Sequence, residues 1–563
     1  MKGRNFMSRR EHLFDFLKTV VFLAPLLLIG PGASLPEITH SDYAKRDSSL
    51  YRDVFDQSVY YEGTQYIHLE RLYRDLFGKS KRSLDVNVFD EVPNSTFFTN
   101  RHGKESMSLE DLKRGPVRGS IPDRETQWTI TKGKFKGISP GFFVKSDKGQ
   151  KYLLKFDPVD DLELATGAEV VTDRFLHAIG YNVPQYTIAY LKKEQLGIVP
   201  GTRFYDESGF KKELTPERLE EFLIYIPETA DGHYRASASR ILGGEILGPM
   251  RLQGRRKNDP GDSVNHEDRR EIRGLQVFNA WLNNNDVRES NTLDVVEERD
   301  GRSEIRHYVI DFNSALGSTP RGPKPPMFGH EYMVDYEESF KAFLGLGFWK
   351  KPWQKRWDEA GQKSGAPSLG YFDNRYFNPG RYKTQLPYFS FKDLTRADGY
   401  WAAKIIMKFT NEDIDAIVST GEYSDGETQK NLARTLIERR DLIGRFWFSQ
   451  ANPLDEFRLS SIGGAYEVRF EDLAVHYGFQ PEGQSIYRFD VIGRKGKKGV
   501  RLAREEVHER NFRIHPEWLS EYSAIDLLIR TQRSGEREWS PFVRIEIESE
   551  TGSPHLSGIL HQD

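Results

Sequence analysis

The chain contains no cysteine. That excludes a disulfide framework, a zinc–thiolate site, an iron–sulfur cluster and a cysteine nucleophile. It also removes any lipid anchor attached through cysteine. Charge of one sign is missing too: 81 basic residues face 84 acidic ones, for a formal net charge of −3. Nucleic-acid binding asks for a strongly basic face, so nucleic acid is not an expected partner. The 14 histidines are scattered. Neither an H-E-x-x-H helix nor a Walker A loop occurs, which removes the zincin and P-loop readings. No internal repeat or low-complexity tract is visible.

What is present begins with a targeting pattern. Lys2, Arg4, Arg9, Arg10 and Lys18 precede the apolar run Val20 to Ile29, and Gly30-Pro31-Gly32-Ala33-Ser34 supplies breakers and small residues. Basic, apolar, small is the order of a secretory signal, and the run is shorter than the about 20 residues of a membrane span. Residues 1–34 are therefore expected to be a signal peptide or an uncleaved N-terminal anchor. The protein is expected in the periplasm or outside the cell, with membrane attachment through this segment only.

Hydrophobic residues make up 37% of the chain and aromatics 13%, enough to build cores over several units. Residues 35–125 are polar and aromatic and read as an N-terminal extension packed on the segments C-terminal to it. From 126 to 192 the pattern is strand, strand, strand, helix, strand. Trp128 to Lys132 and Phe142 to Val144 have strand composition, Asp147-Lys148-Gly149 is a turn signal, and Tyr152 to Phe156 is a third strand. Leu164, Ala168, Val171, Phe175 and Ile179 recur at helical spacing before Gly180. From about residue 263 the pattern turns helical. One helix is expected to be capped by Asn265 and to end in Asn283-Asn284-Asn285-Asp286, with a hairpin around Arg299-Asp300-Gly301 after it. Residues 453–563 alternate in strand fashion and are expected to form a β-sandwich-like domain.

The chemistry is carried by residues spread along this order. Lys155 sits inside the apolar strand Tyr152-Leu153-Leu154-Lys155-Phe156, where an inward ammonium needs a partner. Glu169, 14 residues on, lies mid-helix. Alone, such a pair fits a solvated surface equally well. Asp286 and Asn291 stand five apart in the loop after a helix; alone, they also suit an Asn/Asp-rich helix terminus. Asp311 ends the apolar strand Tyr308-Val309-Ile310. It reads either as a strand-end cap or as a ligand for a hard cation.

Taken in order, Lys155, Glu169, Asp286, Asn291 and Asp311 resemble the protein-kinase-like superfamily: strand lysine, helix glutamate, a catalytic-loop Asp-x-x-x-x-Asn, and the aspartate of D-F-G. The resemblance spans roughly residues 126–450 and is nearest to the atypical HipA-type, CotH-type and phosphatidylinositol-kinase-like branch, since Asn284-Asn285-Asp286 replaces H-R-D. It implies an α+β, two-lobed protein-kinase-like fold, with lobes over 126–192 and 193–452. It further implies an exported phosphotransferase moving the γ-phosphate of ATP, with Mg²⁺ or Mn²⁺, to a hydroxyl of a protein, sugar or lipid head group. Lys155 would orient the phosphates, Glu169 would hold Lys155, Asp286 would serve the acceptor, and Asn291 and Asp311 would bind metal. Gly133, Gly137 and Gly141 mark where a nucleotide loop belongs, but they do not spell G-x-G-x-x-G. Lys134 and Lys136 either compensate there or are solvated. Asn313 replaces the D-F-G glycine, and no A-P-E triplet occurs after it. Two alternatives stay open on the same fold: a pseudokinase binding module, and a nucleotidyltransferase. A basic cluster, Arg251, Arg255, Arg256, Lys257, Arg269 and Arg270, reads either as an anion site or as a solvated loop balanced by Asp259, Asp262 and Glu267.

Overall fold

Strand-forming runs from Trp128 onward assemble into a six-stranded sheet in the computed structural model. It describes residues 49–61, 69–134, 139, 141–205, 210–256, 259–299, 301–346, 348–349, 351, 353–354, 369–496, 498–549 and 553–563. The expected signal segment, 1–34, lies outside these. The sheet comprises β1 (Trp128–Gly133), β2 (Gly141–Ser146), β3 (Lys151–Phe156), β4 (Tyr186–Leu191), β5 (Leu196–Ile198) and β6 (Tyr234–Arg240), in the order β4-β6-β3-β2-β1-β5. All pairings are antiparallel except β1 with β5. Alternation puts Trp128, Ile130, Phe142, Val144, Tyr152 and Leu154 into one core with Leu219 and Leu223 of helix α2 (Pro216–Leu223). β6 lies beyond the 126–192 stretch in which the sheet was expected. Its run of small residues, Ala236-Ser237-Ala238-Ser239, fits between β3 and β4 without a bulky strand signature.

Helix α1 (Leu164–Ile179) crosses behind the sheet, and every one of its residues is buried. The sequence shows an amphipathic stripe, but other segments cover the second face, so the helix is enclosed on both sides. Gly180, at φ 143°, ends it where any side chain would collide with the Phe98 ring of the extension. Asp157 supplies the cap: its carboxylate accepts the N–H groups of Glu163, Ala165 and Thr166 at 2.8–2.9 Å.

The helical part is built on α3 (Arg270–Leu282), α4 (Arg396–Met407), α5 (Asn411–Ser419) and α6 (Gly426–Gln450). Asn265 does not cap α3. A 3₁₀ turn, His266–Asp268, intervenes, and the Arg270 N–H is donated instead to Asp85 of the extension at 2.8 Å. α4 and α5 open with capping boxes from Thr395/Asp398 and Thr410/Asp413. The expected hairpin is present as β8 (Thr292–Arg299) and β9 (Arg302–Val309), joined at its edge by β7 (Glu245–Gly248).

The C-terminal part has two antiparallel sheets around one core. β10 (Leu454–Ile462), β11 (Ala465–Asp472) and β14 (Asn511–Ile514) form the smaller. The larger runs β13 (Lys498–Val507), β12 (Ile486–Lys495), β15 (Ala524–Gln532), β16 (Val543–Glu548), β17 (His555–His561). The whole is α+β. Among the described residues no helix is long and apolar enough to cross a membrane.

Candidate active site

Lys155 lies near the end of β3, with Gly141 of β2 and Ser237 of β6 as its register neighbours. Its side chain is buried and projects toward α1, where an isolated ammonium would be costly to desolvate. Two carboxylates meet it. Nζ donates to Glu169 Oε1 and, at 2.8 Å, to Asp311 Oδ1. The second oxygen of Glu169 accepts the Ser237 hydroxyl. Burial opposes the lysine charge, but Asp311 and Glu169 outweigh it and hold the ammonium well above its ordinary range. Burial dominates at Glu169 and raises its carboxyl despite Lys155. At Asp311 burial is outweighed by Lys155 and Lys134, so that carboxyl stays low.

Asp311 comes after β9 in a left-handed backbone conformation, φ 64°, and donates its N–H to the Tyr186 hydroxyl at 3.2 Å. Aspartate tolerates this region better than most side chains. Phe312 packs into the core beside Tyr186, with ring centroids 5.8 Å apart. That contact anchors the turn and leaves the Asp311 side chain 33% exposed at the cleft. Asn313 donates its amide to Ser139 Oγ at 2.6 Å. It thus ties the Asp311 turn to the segment between β1 and β2.

The loop after α3 lies beside this turn. Asn283 ends the helix in a left-handed conformation, φ 49°. Asp286 is buried and gripped by a two-pronged Arg288 contact at 2.6 and 2.9 Å. Burial raises its carboxyl, Arg288 opposes this, and Asp311 adds to the rise. Asn291 donates its amide to the Asp286 carbonyl at 2.6 Å, and its own backbone carbonyl accepts the Ile310 N–H at 2.9 Å. The five charged and amide candidates therefore converge on one cleft between the sheet and α3.

Two of the three glycines stand where space is tight. Gly133 ends β1 where a Cβ would strike Phe204, and Gly141 begins β2 where a Cβ would strike the Leu154 carbonyl. Both are small for close backbone packing. Gly137 and Lys136 lie outside the described residues. Lys134 is not solvated: it donates to the Ser139 carbonyl at 3.0 Å. Burial and the charge of Lys155 push it down to about 8.

Sequence reasoning assigns no role to Lys324, Arg288, Ser237 or Tyr186. Lys324 is buried beneath the loop, donating to the Asn283 carbonyl at 2.6 Å, to Asn285 Oδ1 at 2.7 Å and to the Ser314 carbonyl. Burial drives it down to about 7. Its only sequence signal is a lone cation amid Gly322-Pro323 and Pro325-Pro326.

The basic cluster takes neither of its two readings. Arg256 forks onto Asp294 at 2.6 and 3.0 Å, Arg269 meets Asp262 and Glu271, and Arg270 meets Asp90 and Asp398. These three are buried: acids from distant segments fold onto Arg256 and Arg270, while those on Arg269 are local, Asp262 being one of the balancing acids expected. Arg255 is exposed, and Lys257 lies outside the described residues.

No protein-family model matches the chain, and neither a curated protein nor a solved structure does. The chemistry therefore rests on the cleft. Asp311 and Asn291 offer hard oxygen donors that suit Mg²⁺ or Mn²⁺. Among the described residues no ready-made cage of three or more His, Asp or Glu exists. A cation that arrives with phosphates needs only one or two protein oxygens.

Proposed function

We propose that the chain is an ATP-dependent phosphotransferase of the two-lobed, protein-kinase-like kind, with the six-stranded sheet and the helical part as its lobes. The observation that carries this is Lys155 held between Glu169 and Asp311 at the mouth of the Asp286–Asn291 loop. Phosphoryl transfer needs little more from a protein than positioned charge. Lys155 meets phosphate oxygens, kept in place by Glu169, which Ser237 orients. Asp311 and Asn291 hold Mg²⁺ or Mn²⁺, which when bound neutralises phosphate charge. Asp286 lies where an acceptor hydroxyl would enter. The hydroxyl proton passes to Asp286, the acceptor oxygen bonds to the γ-phosphorus, and the bond to the β-phosphate oxygen breaks to release ADP. Burial raises the Asp286 carboxyl, and Arg288 opposes that rise, which favours the ionised form a proton acceptor needs.

Incubation of the purified protein with γ- and α-labelled ATP plus Mn²⁺ tests this reading. Label from the γ-position on an acceptor or on the protein is the expected result. Retention of the α-label means nucleotidyl transfer, and neither label means a binding module. Residues 1–34 are proposed to direct export; their deletion is expected to keep the protein in the cytoplasm in a fractionation assay.

A further inference from the structure

The outward face of the five-stranded sheet carries a second feature, independent of the cleft. β12 turns Tyr487, Phe489 and Val491 into the core, and β15 turns Leu527 and Ile529 the same way. Arg488 and Arg530 therefore stand on the opposite face, directly across from each other in the β12–β15 register. Like charges opposed on neighbouring strands repel.

Neighbouring acids relieve the pair only in part: Asp490 attracts Arg530, but burial and Arg488 outweigh it. Asp490 is taken up by Arg504 at 2.6 Å, with Arg501 at 3.6 Å. Glu506 faces Arg488 across β13 but is exposed. Among the described residues Arg488 makes no hydrogen bond or ion pair, and its Nε is buried without a partner. Arg530 has one bond, to the Ser540 carbonyl at 3.1 Å. Aromatic rings set the two groups in place: Arg488 lies over Trp539 at 4.1 Å and Arg530 over Phe542 at 5.4 Å. Burial and the charge of Arg488 lower the Arg530 pKa. Two planar guanidiniums, pre-positioned and short of acceptors, await an oxyanion.

We propose that this face binds an acidic polysaccharide, with a carboxylate or sulfate group seated between Arg488 and Arg530. The site lies on the face of the sheet over β12 and β15, not on the free edges of β13 and β17. A peptide adding to a sheet uses an edge, where backbone groups are free. A sugar chain uses what this face offers: half-buried rings at Trp539 and Phe542 for pyranose faces, and paired cations for its acidic groups.

Titration calorimetry of the full chain with polygalacturonate and dextran sulfate tests this, with neutral dextran, sodium sulfate and poly-glutamate as the other arms. One or both acidic polysaccharides should bind and neutral dextran should not. Arg488→Gln and Arg530→Gln should each weaken binding at least tenfold. The ligand-free Tm of Arg530→Gln should equal or exceed that of the parent, because a like-charge contact is gone. Unchanged affinity in both variants overturns the proposal. So does tighter binding of poly-glutamate, or saturation by sodium sulfate at equal anion concentration. A lowered ligand-free Tm in both variants with undiminished polysaccharide binding would make the stack a structural device.

Discussion

Two regions of this molecule bury charge densely, and they do so to opposite effect. Where the extension meets α3 and α4, Arg270 lies between Asp90 and Asp398, at 2.8 and 3.1 Å. Arg273 bridges Asp398 and Asp268, both at 3.2 Å. Arg82, Ser83 and His561 fill the remaining acceptor positions. There, ionisation is deepened: burial is overcome at Asp90 by Arg270 and His561, which hold the carboxyl far down, and Asp90 and Asp398 push Arg270 up. In the cleft, only the central Lys155–Asp311 contact is deepened. The groups around it are drawn toward neutrality: burial lowers Lys134 to about 8 and Lys324 to about 7, and raises Glu169 and Asp286. Buried charge alone does not mark a functional site. Groups drawn toward neutrality beside a partly exposed carboxylate are the pattern that proton transfer asks for.

The comparison breaks first at Arg270. Arg270→Met strands two buried aspartates and should cost about 3–5 kcal/mol, read as a lower urea midpoint. A loss below about 1 kcal/mol would mean the network is wet and does not lock the extension to α3. In the cleft the largest effect should be on rate. Asp286→Asn should cut turnover about a hundredfold, the usual worth of a positioned acid–base group, while nucleotide-dependent thermal stabilisation survives. Asp311→Asn should abolish that stabilisation, since it removes the charged oxygen donor. The reverse pattern would exchange the two roles.

A smaller effect separates Lys155 and Glu169. Each changed to Ala should lower turnover about tenfold, roughly 1.4 kcal/mol in barrier, and the double variant should be little worse than either. Contacting residues that form one device are not additive; additive losses would mean that each acts alone.

The sequence makes some of this visible and hides the rest for physical reasons. Lys155 and Glu169 are legible because a charge within apolar β3 or α1 must find a partner. Asp311 is legible because a carboxylate ends a buried strand. The capping boxes at Thr395 and Thr410 and the hairpin at Gly301 arise from short-range chemistry. What stays hidden depends on distant segments. β6 has no bulky residues and pairs with β3 and β4 from far along the chain, so neither it nor Ser237 announces itself. Its Arg235, 1% exposed, reaches the Gly421 and Glu422 carbonyls beyond α5, a contact with no local signature. Asn265 suggests a cap that the fold does not use, because the acceptor for Arg270 comes from Asp85. The glycines at 133 and 141 also meet Phe204 and Leu154 closely, a steric need with no local signature.

Lys324 gives the finest test of the contrast, because its three partners are two carbonyls and one amide oxygen, with no carboxylate in contact among the described residues. An ammonium has three N–H donors for three acceptors, so the protonated form satisfies the geometry, while burial favours the neutral amine. In the folded state the proton leaves at about 7; in the unfolded chain it stays until about 10.4. Between those values the unfolded state binds more protons, so this group makes stability rise with pH. The difference in stability between the parent and Lys324→Met should therefore grow in favour of the parent, by about 1 kcal/mol from pH 7.5 to 8.5, within the ~1.4 kcal/mol per unit that one proton allows. Paired denaturant titrations at the two pH values measure it. If the difference does not change with pH, the lysine stays charged under the Asn283–Asn285 loop. The cleft would then hold its cations as firmly as the Arg270 network does, and the contrast between the two regions would rest on Lys134, Glu169 and Asp286 alone.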